Sequence, residues 1–368
     1  LIHQIKILNR KKKFSEAKKA ILPLICKAIE ERNLYDLLVE IHVSAGSMLT
    51  LEKVLNRLKI SDQDKSKVSM YTAAAFDRVL LARREKDEYD MSEGNWFRKL
   101  RNFGKASVDF GVLISLYESA LKHDRDNVTA VFWLADVYLQ LDMKTDAIKS
   151  YDKFLKHHWD IDVAYQMTST ILEYLEEEAS EKKLQQLLYQ AKEMVERCLA
   201  QEDAPRYLSQ YGYVLKLLGN TEEAESVYKQ VIDVDSTDPV AYFQLALLYR
   251  ENNRVIEAKE TILKALEIAP EDAQILNEAS IALRLNGEFQ AALEMVDRAI
   301  KFDAEDAMLL YNRACYLSLL GRFEESAAHL TEVFEEDEDG IFIEMSLNDE
   351  DLEQLKEAGM FPLEVSEQ

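Results

Sequence analysis

Six histidines and three cysteines are the residues best suited to metal binding or to nucleophilic and acid–base chemistry, and their spacing supports neither. His3, His42, His123, His157, His158 and His329 include no pair four residues apart, the helical spacing that lets two imidazoles hold one zinc ion. His157-His158 reads as a solvated helix end. Cys26, Cys198 and Cys315 are far apart and odd in number; they read as free thiols in apolar helical settings, not as a disulfide framework. The sequence has no GxxxxGK[ST] phosphate loop, no GxSxG nucleophile turn and no EF-hand spacing. Acidic runs such as Glu173 to Glu181 read as solvated faces. These absences predict a chain without catalysis, cofactor or metal.

The charges carry more information. Of 368 residues, 45 are Lys or Arg and 68 Asp or Glu, a net charge of −23. Residues 1–126 hold 24 basic and 18 acidic residues, a net +6, and residues 127–368 hold 21 and 50, a net −29. An acidic surface of that kind repels phosphate backbones, so nucleic acid is not an expected partner. Lys11-Lys12-Lys13 reads as a loop. The basic segment Trp96 to Lys105 mixes Trp96, Phe97, Leu100 and Phe103 with Arg98, Lys99, Arg101 and Lys105. It reads as a connecting helix packed on its own neighbours, with a membrane-surface element as the alternative. Three further cations, Lys216, Arg250 and Arg284, recur every 34 residues, and that period points to the elements that position them.

Only 10 glycines and 5 prolines occur, too few for the turns of a sheet protein. Turn-bearing stretches centred on residues 219, 253, 287 and 321 repeat at the same 34-residue step. Seven residues before each centre stands a small residue (Gly212, Ala246, Ser280, Ala314), and five after it another (Ala224, Ala258, Ala292, Ser326). Small columns let two helices approach at about 8–10 Å. Bulky columns surround them: Leu208, Tyr242, Leu276 and Leu310; Leu215, Tyr249, Leu283 and Leu317; Tyr228, Ile262, Val296 and Leu330. Each helix thereby gains one apolar face.

This pattern resembles the tetratricopeptide repeat (TPR) family, whose unit is an antiparallel helix pair of 34 residues with small residues at its eighth and twentieth positions. Four copies lie in register over 205–338, with the family's late proline present once, as Pro270. The resemblance implies an all-α fold, a right-handed superhelix with an irregular helical section before it. Residues 128–161 match through Leu134, Ala135, Tyr138, Ala147 and Tyr151. Residues 162–204 match through Tyr165, Ser169 and Leu172 and carry nine extra residues, expected to lengthen both helices around 176–183. The expected parts are divergent helical hairpins over 1–127, a divergent repeat pair over 128–204, four regular repeats over 205–338 and a capping segment over 339–368. In the first part, Phe14, Ala17, Ile21 and Leu24 mimic a second repeat helix interrupted by Pro23, and Ser61-Asp62-Gln63-Asp64 marks a helix start. The helix holding Leu113, Tyr117 and Ala120 is expected to pair with one beginning near Gly94. At the other end, Ile341, Phe342 and Ile343, then Asn348-Asp349-Glu350-Asp351 with Leu352 and Leu355, are similar to the tails that close many bacterial arrays.

In this family one face of each first helix lines a concave groove. On that face the resemblance places Tyr213, Lys216, Phe243, Gln244, Arg250, Asn277, Ile281, Arg284, Tyr311 and Asn312. The three cations would either attract an acidic segment or pair with neighbours such as Glu251 and Glu278. Members that bind chaperone tails use a Lys/Asn/Asn/Lys/Arg clamp; Gln210, Gln244, Gln274 and Glu278 stand at equivalent positions here, so that activity is not expected. The expected function is non-enzymatic binding of a protein or peptide segment, an acidic segment among the candidates, as a scaffold or adaptor. Alternatives are a peptide-regulated switch, the interaction part of a larger enzyme, or a membrane-surface adaptor. No apolar run reaches the ~18 residues of a membrane span, so membrane contact is not expected. The opening Leu1-Ile2-His3-Gln4-Ile5 reads as the middle of a helix in a longer protein, and a cytoplasmic location is expected.

Overall fold

The computed structural model describes residues 2–45, 47–88, 103–175, 180–337 and 339–362. Its ordered elements are helical, and the chain divides into two compact units, Leu1–Cys198 and Leu199–Gln368. The basic segment at 96–105 and the acidic run at 176–178 fall outside the described residues or side chains.

Unit one contains α1 (Ile2–Arg10), α2 (Phe14–Lys27), α3 (Asn33–Ser44), a 3-10 turn (Met48–Thr50), α4 (Leu51–Asn56), α5 (Asp62–Glu88), α6 (Phe103–His123), α7 (Val128–Gln140), α8 (Lys144–Leu155), α9 (Ile161–Leu175) and most of α10 (Glu181–Gln201). One apolar cluster runs from Ile5 through Ile21, Tyr35, Leu38, Phe76 and Leu116 to Leu134, so the irregular helices share a core with the first matching repeat. The Ser61 hydroxyl accepts the Asp64 N–H at 3.1 Å and starts α5 as a serine cap does. Pro23 does not interrupt α2, which runs through it. Pro23 and Lys19 are both exposed, so the carbonyl that loses its partner to the proline faces water. Helix α6 packs against α5, where the buried Ser69 and Ser119 hydroxyls meet at 3.3 Å; the expected partner beginning near Gly94 lies outside the described residues. The extra residues of the long repeat go mostly to its second helix: α9 has 15 residues and α10 has 21.

Unit two continues with four helix pairs: α11 (Pro205–Leu217) with α12 (Thr221–Val234), α13 (Pro239–Glu251) with α14 (Val255–Ile268), α15 (Ala273–Leu285) with α16 (Phe289–Ala299), and α17 (Ala307–Leu319) with α18 (Phe323–Glu336). The period is visible in the backbone. Gly219, Asn253, Gly287 and Gly321 all adopt left-handed φ between 57° and 78°, the conformation that ends one helix and turns the chain into the next. Asp238, Asp272 and Asp306, also 34 apart, accept two backbone N–H groups each at the starts of α13, α15 and α17. Every residue of both small columns is buried. At Gly212 a Cβ would lie 2.7 Å from the Tyr228 ring, so that ring fills the space a side chain would take.

The last pair is closed by α19 (Ile341–Leu347), a 3-10 turn (Glu350–Leu352) and α20 (Glu353–Glu357). Leu352 and Leu355 are fully buried against α17 and α18. The Asp349 carboxylate accepts the Asp351 N–H at 2.9 Å. Ile341, expected to cover the last apolar face, is 56% exposed; Phe342 takes that role by packing on Tyr311 at 5.6 Å between ring centroids.

Candidate functional site

The first helices α11, α13, α15 and α17 carry the ten residues singled out above. Tyr213, Lys216, Phe243, Gln244, Arg250, Asn277, Ile281, Arg284 and Asn312 are half-buried, and Tyr311 is buried. Two amides meet across neighbouring repeats: Asn312 Nδ2 donates to Asn277 Oδ1 at 2.9 Å. Lys216 lies over the Tyr213 ring at 5.6 Å.

Each member of the cation column is held by a carboxylate of this chain. Lys216 Nζ pairs with Glu251 at 2.9 Å, and Arg250 Nε donates to Glu278 at 2.6 Å. Arg284 grips Asp351 through Nε and an Nη, both at 2.6 Å. The pairs run from each first helix to a later one or to the closing segment, so they clasp successive repeats together. Of the two expected partners, Glu251 and Glu278, both are engaged, and Asp351 was not foreseen. Burial raises the Glu278 and Asp351 carboxyls above their ordinary range, against the pull of their arginines. Tyr311 lies under the closing segment and donates to Asp349 Oδ2 at 2.8 Å. Tyr311 and Arg284 therefore face the chain's own tail.

The best arrangement for a metal among the described residues is Cys315 with Asp349 and Asp351. Its oxygens are already taken by Tyr311, Arg284 and backbone N–H groups. Burial raises the Cys315 thiol well above its usual range, which keeps it from the thiolate form a metal needs. His42 is a core histidine: burial lowers its pKa to about 4 and Nδ1 meets the Ser47 carbonyl at 3.2 Å. His158 packs on Phe154 and lies 3.5 Å from Asp126. Among the described residues, no helix is long and apolar enough to cross a membrane.

Antiparallel helix pairs with left-handed turns and small contact columns at a 34-residue step define a helical-hairpin repeat protein. Residues 114–160 and 216–277 each match a family model described as tetratricopeptide repeat, and the chain is a tetratricopeptide repeat protein. The TPR repeat-containing protein MJ1428 of Methanocaldococcus jannaschii is 28% identical over 140 residues, 37% of this chain and 23% of that protein's length. A tetratricopeptide repeat protein structure from Parabacteroides merdae covers 68% of this chain and 98% of its own at 17% identity, with a TM-score of 0.49. YrrB, described as a TPR protein with an unusual peptide-binding site, covers 52% of this chain and 94% of its own at 20% identity, with a TM-score of 0.37. A fold of stacked hairpins suits protein interaction in general, because each repeat adds a similar strip of surface.

Proposed function

We propose that the chain is a non-enzymatic scaffold that holds a protein or peptide segment along the first helices of unit two. The observation that carries this reading is the Asn312–Asn277 pair. Once Asn312 Nδ2 has donated to Asn277 Oδ1, Asn277 Nδ2 and Asn312 Oδ1 have no further partner among the described residues. One donor and one acceptor then stand together, matching the C=O and N–H of an extended peptide. Phe243 and Ile281 supply apolar contact area beside them, and Gln244 adds an amide whose Oε1 is unsatisfied. A preference for acidic ligands is not part of this reading, since Lys216, Arg250 and Arg284 are occupied. A cytoplasmic location belongs to the proposal and is supported by Cys26 and Cys315, which stand as thiols outside any disulfide and suit a reducing compartment.

The test is affinity capture from the native cell with the wild-type chain and with Phe243→Ala, Asn277→Ala and Asn312→Ala combined. Loss of a captured protein from a variant that still melts cooperatively supports the proposal. Capture that is unchanged by all three substitutions contradicts it.

A further inference from the structure

A second surface lies within unit one and is independent of the strip above. Helices α6 and α8 flank α7, and a cleft of about 760 Å³ opens between them. Glu118, Leu121 and Lys122 of α6, with Arg125 just beyond it, form one wall. Asp146, Lys149, Ser150, Lys153 and Phe154 of α8, with His157 after it, form the other, and Leu134 and Tyr138 of α7 form the floor.

The charges on these walls differ from those on the first helices of unit two. Lys149 pairs with Asp146 at 2.9 Å. Among the described residues, Lys122, Arg125, Lys153 and His157 have no ion pair or side-chain hydrogen bond, and all four are exposed. Their positions follow helical steps, so the side chains of each wall share a stripe. The floor and the lower walls are apolar and aromatic: Leu134 and Phe154 are buried, and Leu121 and Tyr138 half-buried. The lining carries Lys122, Arg125, Lys149 and Lys153 against Glu118 and Asp146, so its own balance is positive on a chain of net charge −23. The resulting potential acts within a Debye length of about 8 Å at physiological salt, so distant acidic residues do not cancel it.

We infer that this cleft is a docking site for an acidic peptide segment of another protein, one that carries aliphatic or aromatic side chains among its carboxylates. The carboxylates meet Lys122, Arg125 and Lys153, and an apolar side chain enters between Leu121, Tyr138 and Phe154. A concave opening with an aromatic floor fits such a segment better than it fits a flat anionic bilayer.

The experiment uses the full chain and a short fluorescent peptide of Glu and Asp interspersed with Leu and Phe, followed by anisotropy at low and physiological salt. Its counterpart has Gln and Asn in place of the acids. The wild-type chain is expected to bind the acidic peptide in a salt-dependent manner and the neutral one much more weakly. Combined Lys122→Glu, Arg125→Glu and Lys153→Glu should weaken binding on the order of tenfold or more, as three exposed charge contacts are lost. All three side chains are exposed, so the variant should keep the wild-type helical circular dichroism. Leu121→Ala, with the cations intact, should weaken binding to a lesser degree. The inference is overturned if the acidic peptide does not bind, if the reversal leaves binding unchanged, or if the neutral peptide binds equally. It is also overturned if phosphatidylserine vesicles compete with the peptide and bind more tightly than it does, or if the chain self-associates through these residues.

Discussion

Two sets of cations in this chain have opposite fates. On the first helices of unit two, Lys216, Arg250 and Arg284 each meet a carboxylate at 2.6–2.9 Å. In the cleft of unit one, Lys122, Arg125 and Lys153 meet none among the described residues. The first set is regular and looks like a ligand ladder; the second is irregular and drew no notice in the sequence. Periodicity thus marks structure as readily as function. A cation repeated at the spacing of the fold is well placed to reach its neighbour in the next repeat. Cations that break the period stay available for something else.

Removing a carboxylate from the regular set should have the largest effect. Glu278 is 5% exposed and its arginine is half-buried. Glu278→Ala should cost about 2 kcal/mol, less than a fully buried pair because Arg250 can turn toward water. Chemical denaturation checks this, and an unchanged midpoint would mean that the clasp is decorative.

Glycine separates the two units by sign. In α11, Gly212→Ala drives a methyl group into the Tyr228 ring and should destabilise by about 1 kcal/mol or more. In α6, an added Cβ at Gly111 meets nothing within 4 Å, so Gly111→Ala should stabilise by up to about 1 kcal/mol through helix propensity. Thermal melts of the two variants should move in opposite directions.

A pH series sharpens the claim that charges in unit two are structural. Glu225 accepts from Arg254, Lys229 and Tyr249, and these bonds, Arg254 first, lower its pKa from 4.5 to about 2. A carboxyl lowered by folding adds stability above its unfolded pKa, and that stability is lost as pH falls through the folded value. Glu225→Gln should therefore be less stable than wild type at pH 6, with the gap closing as pH falls from about 4.5 toward 2. A gap independent of pH would contradict the assignment. The smallest effect belongs to the cleft: Lys153→Ala should change stability by less than about 0.5 kcal/mol, as exposed unpaired side chains do.

Much of the fold was legible in the sequence, for a physical reason. The turn centres require left-handed backbone and the contact columns require small side chains, so both recur wherever the hairpin recurs. Two of the cations' partners were legible as nearby carboxylates because each departs from its column: Glu278 stands where the others read Gln210, Gln244 and Asn312, and Glu251 where the others read Leu217, Leu285 and Leu319. The third was not. Asp351 comes from the closing segment, which has no equivalent in the repeats. Pro23 misled because its effect depends on which way the ring faces, and sequence alone does not carry that. The cleft of unit one was missed because the period fades before residue 128, so one of its walls belongs to a helix outside the regular columns.

The most direct measurement sets the two cation sets side by side. One variant combines Lys216→Glu, Arg250→Glu and Arg284→Glu; the other combines Lys122→Glu, Arg125→Glu and Lys153→Glu. Each is melted, and each is titrated with the acidic fluorescent peptide at a temperature where it is folded. The unit-two reversal should lower the melting temperature by several degrees, since it places like charges beside buried Glu278 and Asp351, and should leave peptide affinity near wild type. The unit-one reversal should do the opposite, with an unchanged melt and affinity weakened on the order of tenfold. If the unit-two reversal leaves the melt unchanged and abolishes peptide binding, the regular cations are the ligand site and the account is wrong.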